Sequence, residues 1–147
     1  MSILTRPHQM PVRIATGAFI LNSGLGKLRN TDEMAEGIHG TAKTAYPFLE
    51  SWEPVKFTRT LGAAEVAVGA TLLAPIVPSL LAGAALTGFS AGLLGLYLKI
   101  PGMREEGSLR PTQQGIPLAK DSWMLGIGLS LIMESLGGRK RCRRHRS

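Results

Sequence analysis

A chain of 147 residues with one cysteine, Cys142, holds no internal disulfide and no CxxC pair, which excludes dithiol chemistry within the chain. Its net charge of +7 is local, because six Lys and Arg residues lie in RKRCRRHR at 139–146 and the rest of the chain is nearly neutral. A basic footprint confined to one terminus is not the displayed face that nucleic-acid recognition needs, so no nucleic acid is expected as a partner.

Hydrophobic content of 44% would suit a soluble domain, but the apolar residues come in blocks separated by charged connectors. The first block, 12–28, has thirteen uncharged residues between Arg13 and Lys27. That falls short of the roughly 20 that cross a bilayer, and the apolar stems of Arg13 and Lys27 are expected to lengthen the span by carrying their charges toward opposite interfaces. No A-x-A cleavage pattern follows, and Lys27 and Arg29 close the run, so the block reads as a retained first span rather than a secretory signal. Arg13, Thr16, Gly17, Ser23, Gly24 and Lys27 fall at helical spacing on one stripe, which should face protein.

Residues 30–56 carry five acids and the pattern of a capping box, Asn30 with Glu33. A short interfacial helix is expected through Met34 and Ile38, limited by Gly37, Gly40 and Pro47, with Tyr46, Phe48 and Trp52 against the membrane interface. His39 has no second ligand at metal spacing and is expected to be solvated.

The second block, 57–77, reads FTRTLGAAEVAVGATLLAPIV and places Glu65 roughly 12 Å along the helix from Phe57, well inside a hydrocarbon layer. A carboxylate at that depth is retained where the bundle interior supplies an opposite charge, a proton or a bound molecule. Thr58, Gly62, Glu65 and Gly69 share a face, and the glycines permit close helix approach. Pro75 and Pro78 then form a turn that admits only an antiparallel neighbour. The third block, 79–98, runs twenty residues without a charge and offers Ala84, Gly88 and Gly92 as a small-residue packing stripe. Residues 99–121 contain three prolines and three glycines and read as a loop. The fourth block starts near Ser122 and continues to about 138, with Glu134 expected at the interface and paired with the basic tail.

These blocks predict an all-α fold: an antiparallel, integral membrane four-helix bundle with a short interfacial helix between helices 1 and 2. The four-span domain covers 1–138, and 139–147 is a basic cytoplasmic tail that orients the chain and contacts anionic lipid. Both termini are then cytoplasmic in a multi-pass protein of a bacterial plasma membrane. In that topology Tyr46, Trp52, Tyr97 and Trp123 form one outer aromatic belt. Lys27, Arg59, Glu65, Tyr97, Lys120 and Asp121 gather below it as a polar cluster, with Lys27 and Arg59 as rival partners for Glu65.

Three motifs carry a family likeness: Arg13, Gly17, Gly24 and Lys27 as R-x3-G-x6-G-x2-K; Gly62, Glu65 and Gly69 as G-x2-E-x3-G; and AKDSW at 119–123. With RPTQQG at 110–115, the chain resembles DoxX-like membrane proteins, most closely their actinobacterial branch. The resemblance implies a four-helix membrane protein and, from some relatives, a quinone-linked or thiol-linked oxidoreductase complex, with a quinone as the implied cofactor. Cysteine chemistry does not carry over. Two functions stay open: a non-catalytic partner subunit of a membrane redox assembly, or a small-ligand-binding or transport protein with an outer-half pocket around Glu65. The expected partners are membrane lipids and another membrane or membrane-associated protein. No catalytic dyad, phosphate loop or metal cluster is present in the sequence pattern.

Overall fold

The computed structural model describes residues 6–113, 115–119 and 121–144, with side chains for all of these but 117, 118 and 138–144. Among them every regular element is a helix: α1 (Met10–Arg29), α2 (Thr31–Ala45), α3 (Pro54–Leu73), α4 (Ser79–Lys99), the single turn α5 (Ile116–Ala119) and α6 (Asp121–Arg144). Two 3-10 turns, Pro7–Gln9 and Pro47–Ser51, lead into α1 and α3. Proline in the first turn starts α1 and α3, where a missing N–H costs nothing.

The helices associate as two tight antiparallel pairs. In the first, α1 meets α3 through glycines: a Cβ on Gly24 would lie 2.7 Å from the Gly62 carbonyl oxygen, and one on Gly69 would lie 2.9 Å from that of Gly17. Gly17 and Gly24 are seven residues apart, as are Gly62 and Gly69, so the contact repeats every two turns and brings backbone against backbone. In the second pair, α4 and α6 approach at Gly83 and Gly128, where a Cβ on Gly83 would lie 2.8 Å from the Gly128 carbonyl oxygen. A small apolar cluster of Ile20, Leu72, Ala82, Leu86, Met124 and Leu131 joins the pairs.

Several expectations need correction. The α4 packing face is Ser79, Ala82, Gly83, Leu86 and Ser90, while the predicted stripe of Ala84, Gly88 and Gly92 is exposed and no atom lies within 4 Å of a Cβ built on either glycine. An evenly apolar helix has no preferred face, so its neighbours decide which side is covered. Gly37 and Gly40 do not end α2, which continues to Ala45. Each glycine costs about 1 kcal/mol in a helix, and burial of the stripe Ala35, His39, Ala42 and Ala45 offsets it. Asn30 forms no side-chain cap. Instead the Thr31 hydroxyl donates to the Lys27 and Leu28 carbonyls (2.8 and 3.2 Å), closing the end of α1 at the bend into α2. The fourth helix does not stop near 138 but runs on through Arg144, into the basic tail.

Arg13 lies on the α1 stripe expected to face protein, and its guanidinium is fully buried against the turn between α3 and α4. The Nε–H donates to the Leu72 carbonyl, Nη1 to Val77 O and Ser79 Oγ, and Nη2 to Thr71 O and Ala74 O, at 2.8–3.1 Å. All five N–H donors thus close the C-terminal end of α3 and the turn into α4, where carbonyls lack helical partners. Residues 100–113 form a folded strap: Thr112 N–H donates to the Met103 carbonyl, Glu105 N–H to that of Arg110, and the Tyr97 hydroxyl to that of Leu109 (2.6 Å).

Of the described helices, α4 alone is long and apolar enough to cross a membrane by length and composition.

Candidate functional site

The predicted stripe on α1 and that on α3 meet at Lys27 and Glu65. Lys27 Nζ donates to both Glu65 carboxylate oxygens (3.0 and 2.9 Å) and to Ser23 Oγ one turn back (2.9 Å). The geometry follows from the glycines: Gly24 and Gly62 bring the two backbones close enough for a lysine to reach across. The side chains are only 14% and 6% exposed, so the pair is removed from bulk water. Of the two rival partners for Glu65, the structure brings in Lys27 and leaves Arg59 on the exposed side of α3.

The pair lines a cavity of about 880 Å³ bordered by α1, α2, α3, α4 and the start of α6. Its walls are mostly apolar, with Phe19, Ile20, Leu61, Phe89, Leu93 and Met124 prominent. Polar groups are few: Ser23, Lys27, Glu33, Thr41, Tyr46, Glu65 and Asp121. Gly88 and Gly92 line the cavity from α4 and are exposed, as is Phe19 from α1. Volumes of roughly 300–1,000 Å³ with an apolar lining and a few convergent polar groups are typical of small-molecule sites.

The other predicted members of the polar cluster separate. Asp121, buried at the start of α6, lines the cavity. Tyr97 is buried too, but its hydroxyl holds the strap at Leu109 and it does not face the cavity. Lys120 lies outside the described residues. Gly62 and Gly69 serve the α1–α3 contact, while Gly88 and Gly92 line the cavity instead of a helix interface.

Sequence reading missed the α2 wall. Glu33, Met34, Gly37, Ile38 and Thr41 face the cavity from a helix expected to lie against the membrane surface. His39, expected in solvent, is buried, and its Nε2–H donates to the Leu49 carbonyl (2.7 Å) while its ring meets Phe57 edge-on. This fastens α2 to the turn before α3. Tyr46 fastens α2 to α4: its hydroxyl donates to the Gly92 carbonyl (2.9 Å), and Lys99 sits 4.5 Å from its ring centroid. The 3.6-residue recurrence of Ala35, His39 and Ala42 was the available signal for a buried α2 face.

A second polar network closes the opposite end of the bundle. Gln9 accepts from the Ser79 hydroxyl (2.6 Å) and donates to Glu134 (2.9 Å), and Ser79 in turn receives Arg13. Glu134 was expected to pair with the basic tail; its partners among the described residues are Gln9, His8 and Arg6. Among the described residues no group of three or more His, Cys, Asp or Glu side chains is arranged to hold a metal ion.

Comparisons with protein-family models, with curated proteins and with solved structures give no match for this chain. The site therefore stands on its own geometry. That geometry offers a desolvated ion pair on the wall of an apolar chamber, which can hold the polar end of an amphipathic molecule or exchange hydrogen bonds with it.

Proposed function

We propose that this is a membrane-embedded protein that binds or moves a small amphipathic molecule in the cavity beside Lys27 and Glu65. The observation that carries the reading is the cavity itself, lined by apolar groups around one buried ion pair.

Support for the bilayer comes from an inverted distribution of polarity. The buried stripes of α1, α3 and α4 are rich in Arg13, Thr16, Thr58, Glu65, Ser79, Ser90 and glycine. The exposed surface carries Ile14, Phe19, Ile76, Leu81, Leu98, Trp123 and Met133, each 48–76% accessible. Only 28% of the most apolar stretch of α4 is buried, unlike the core helix of a water-soluble domain. Where helices associate in lipid, small residues at interfaces and polar residues within are the expected pattern. Four antiparallel helices, α1, α3, α4 and α6, then serve as spans, with the basic tail and N-terminus on the cytoplasmic side of a bacterial plasma membrane.

The expectation of a redox partner subunit draws on the DoxX-like resemblance, whereas the cavity favours the ligand-binding reading. The test is purification of the full chain from membranes in mild detergent, with mass spectrometry of co-purifying small molecules. Two cavity-filling variants serve as controls, Gly88→Trp on the α4 wall and Thr41→Trp on the α2 wall. A stoichiometric molecule lost from both variants is the expected result. Identical small-molecule content in wild type and in folded variants would refute the reading.

A further inference from the structure

We infer that the ligand of this cavity is a neutral lipid alcohol, an uncharged molecule with a long apolar body and a free hydroxyl at its polar end; this rests on the binding reading above. Hydrogen-bond capacity is the first argument. Among the described residues three hydroxyls line the cavity, those of Ser23, Thr41 and Tyr46. Thr41 donates its proton to the Gly37 carbonyl and Tyr46 to that of Gly92. Ser23 Oγ instead accepts from Lys27, and its own O–H has no acceptor among the described residues. Glu65 is the complement. A carboxylate has about four lone-pair sites, and among the described residues only Lys27 donates to it, once to each oxygen. The spare donor and the spare acceptor are neighbours, because Ser23 Oγ and both Glu65 oxygens lie within 3.0 Å of the same Lys27 Nζ. One hydroxyl group satisfies both, donating to Glu65 while accepting from Ser23. An ether or ester oxygen can use only Ser23, and an ammonium only Glu65.

Charge is the second argument. Lys27 spends all three of its N–H donors on Glu65 and Ser23, so an anionic head finds no ammonium to bind. For a cation, Glu65 is matched by Lys27, Asp121 is already engaged, and Glu33 lies exposed to solvent. A charged head beside the ion pair would leave water without a counter-charge, which is costly. A hydroxyl leaves water with its hydrogen bonds replaced. The apolar body has Phe19, Ile20, Leu61, Phe89, Leu93 and Met124 to lie against.

The full chain in nanodiscs of zwitterionic lipid tests this with radiolabelled probes that share a hexadecyl chain and differ in the head: hexadecanol, methyl hexadecyl ether, hexadecyltrimethylammonium and hexadecyl sulfate, at equal mole fraction in the bilayer. Bound counts are taken as those lost in Gly88→Trp and Thr41→Trp, and every variant is first shown to be monodisperse. Hexadecanol should bind saturably and about tenfold or more tighter than each of the others. Ser23→Ala should weaken it several-fold, whereas Thr60→Ala, which removes an exposed hydroxyl of α3 outside the cavity, should leave it unchanged. Cavity-dependent binding of the ether or of either charged probe at equal or higher affinity, or equal effects of Ser23→Ala and Thr60→Ala, would overturn the alcohol assignment while leaving the binding site intact. Absence of cavity-dependent hexadecanol binding would overturn the alcohol assignment; failure of the co-purification test as well would remove the site.

Discussion

Replacing Lys27 by Met and Glu65 by Leu, singly and together, tests whether the pair is coupled. With 2.9 Å between Nζ and the nearer oxygen, an effective dielectric of about 20 gives roughly 6 kcal/mol of gross attraction. Desolvation of two buried ions takes back several kcal/mol, so the pair as a whole is worth little against two apolar residues of the same volume. Removing one member alone is different, because the other is left uncompensated at a cost of about 3–5 kcal/mol, or roughly a hundred- to few-thousand-fold in the unfolding constant. The two single variants should not be equal. Lys27 lies in the last turn of α1 on a flexible stem and can turn its charge outward, while Glu65 sits in the middle of α3. Lys27→Met should therefore cost more than Glu65→Leu, and the double variant should be more stable than either. Reversible unfolding of the full chain by SDS titration in mixed micelles, followed by far-ultraviolet circular dichroism, measures all four corners of the cycle. Strict additivity, or a double variant weaker than Lys27→Met, would refute the coupling.

Arg13→Lys should destabilise the same chain by about 3 kcal/mol or more, since one ammonium cannot replace five planar donors at the end of α3; an unchanged SDS midpoint would contradict that role. Gly95→Ala should cost about 1–3 kcal/mol, because its Cβ would overlap the Tyr46 hydroxyl that is tied to Gly92. Tyr46→Phe in the same chain should recover part of the loss. Gly37→Ala and Gly40→Ala should each raise stability by about 1 kcal/mol, as Cβ atoms there meet nothing within 4 Å. With Cys142→Ser as background, single cysteines in place of Ser51 and Ser108 should react with an impermeant thiol reagent on intact cells, and one in place of Ser147 should not. The reverse pattern would invert the proposed topology.

The chain's blocks already located its long helices: 79–98 is Ser79–Lys99, and the glycine-flanked acid of 57–77 lies on the buried stripe of Pro54–Leu73. The sequence left Lys27 and Arg59 as rival partners for Glu65, and the close approach of Gly24 to Gly62 is what decides for Lys27. The destination of Arg13 was not legible. Its acceptors are carbonyls about sixty residues away that become available only when α3 ends beside α1. The packing face of α4 was hidden for another reason. With apolar residues all round, Gly83 and Gly88 are equivalent in sequence, and only the position of Gly128 on α6 separates them. Glycine-rich α2 was underestimated because local propensity weighs Gly37 and Gly40 but not the burial of Ala35, His39 and Ala42.

The same features explain how a chamber this large persists in so small a bundle. In water, apolar walls around about 880 Å³ would be driven together. In the proposed bilayer setting that force is missing, since lipid chains are as apolar as the walls, and helix positions depend on close packing and polar contacts. Glycine pairs lock α1 to α3 and α4 to α6, and Arg13 ties α1 to the turn between α3 and α4. The two pairs are thereby held at the Arg13 end and kept apart at the Lys27 end, where α2 bridges them through His39 and Tyr46. Filling the gap with side chains would have required larger residues at Gly88 and Gly92. Their absence leaves room for a ligand beside the ion pair.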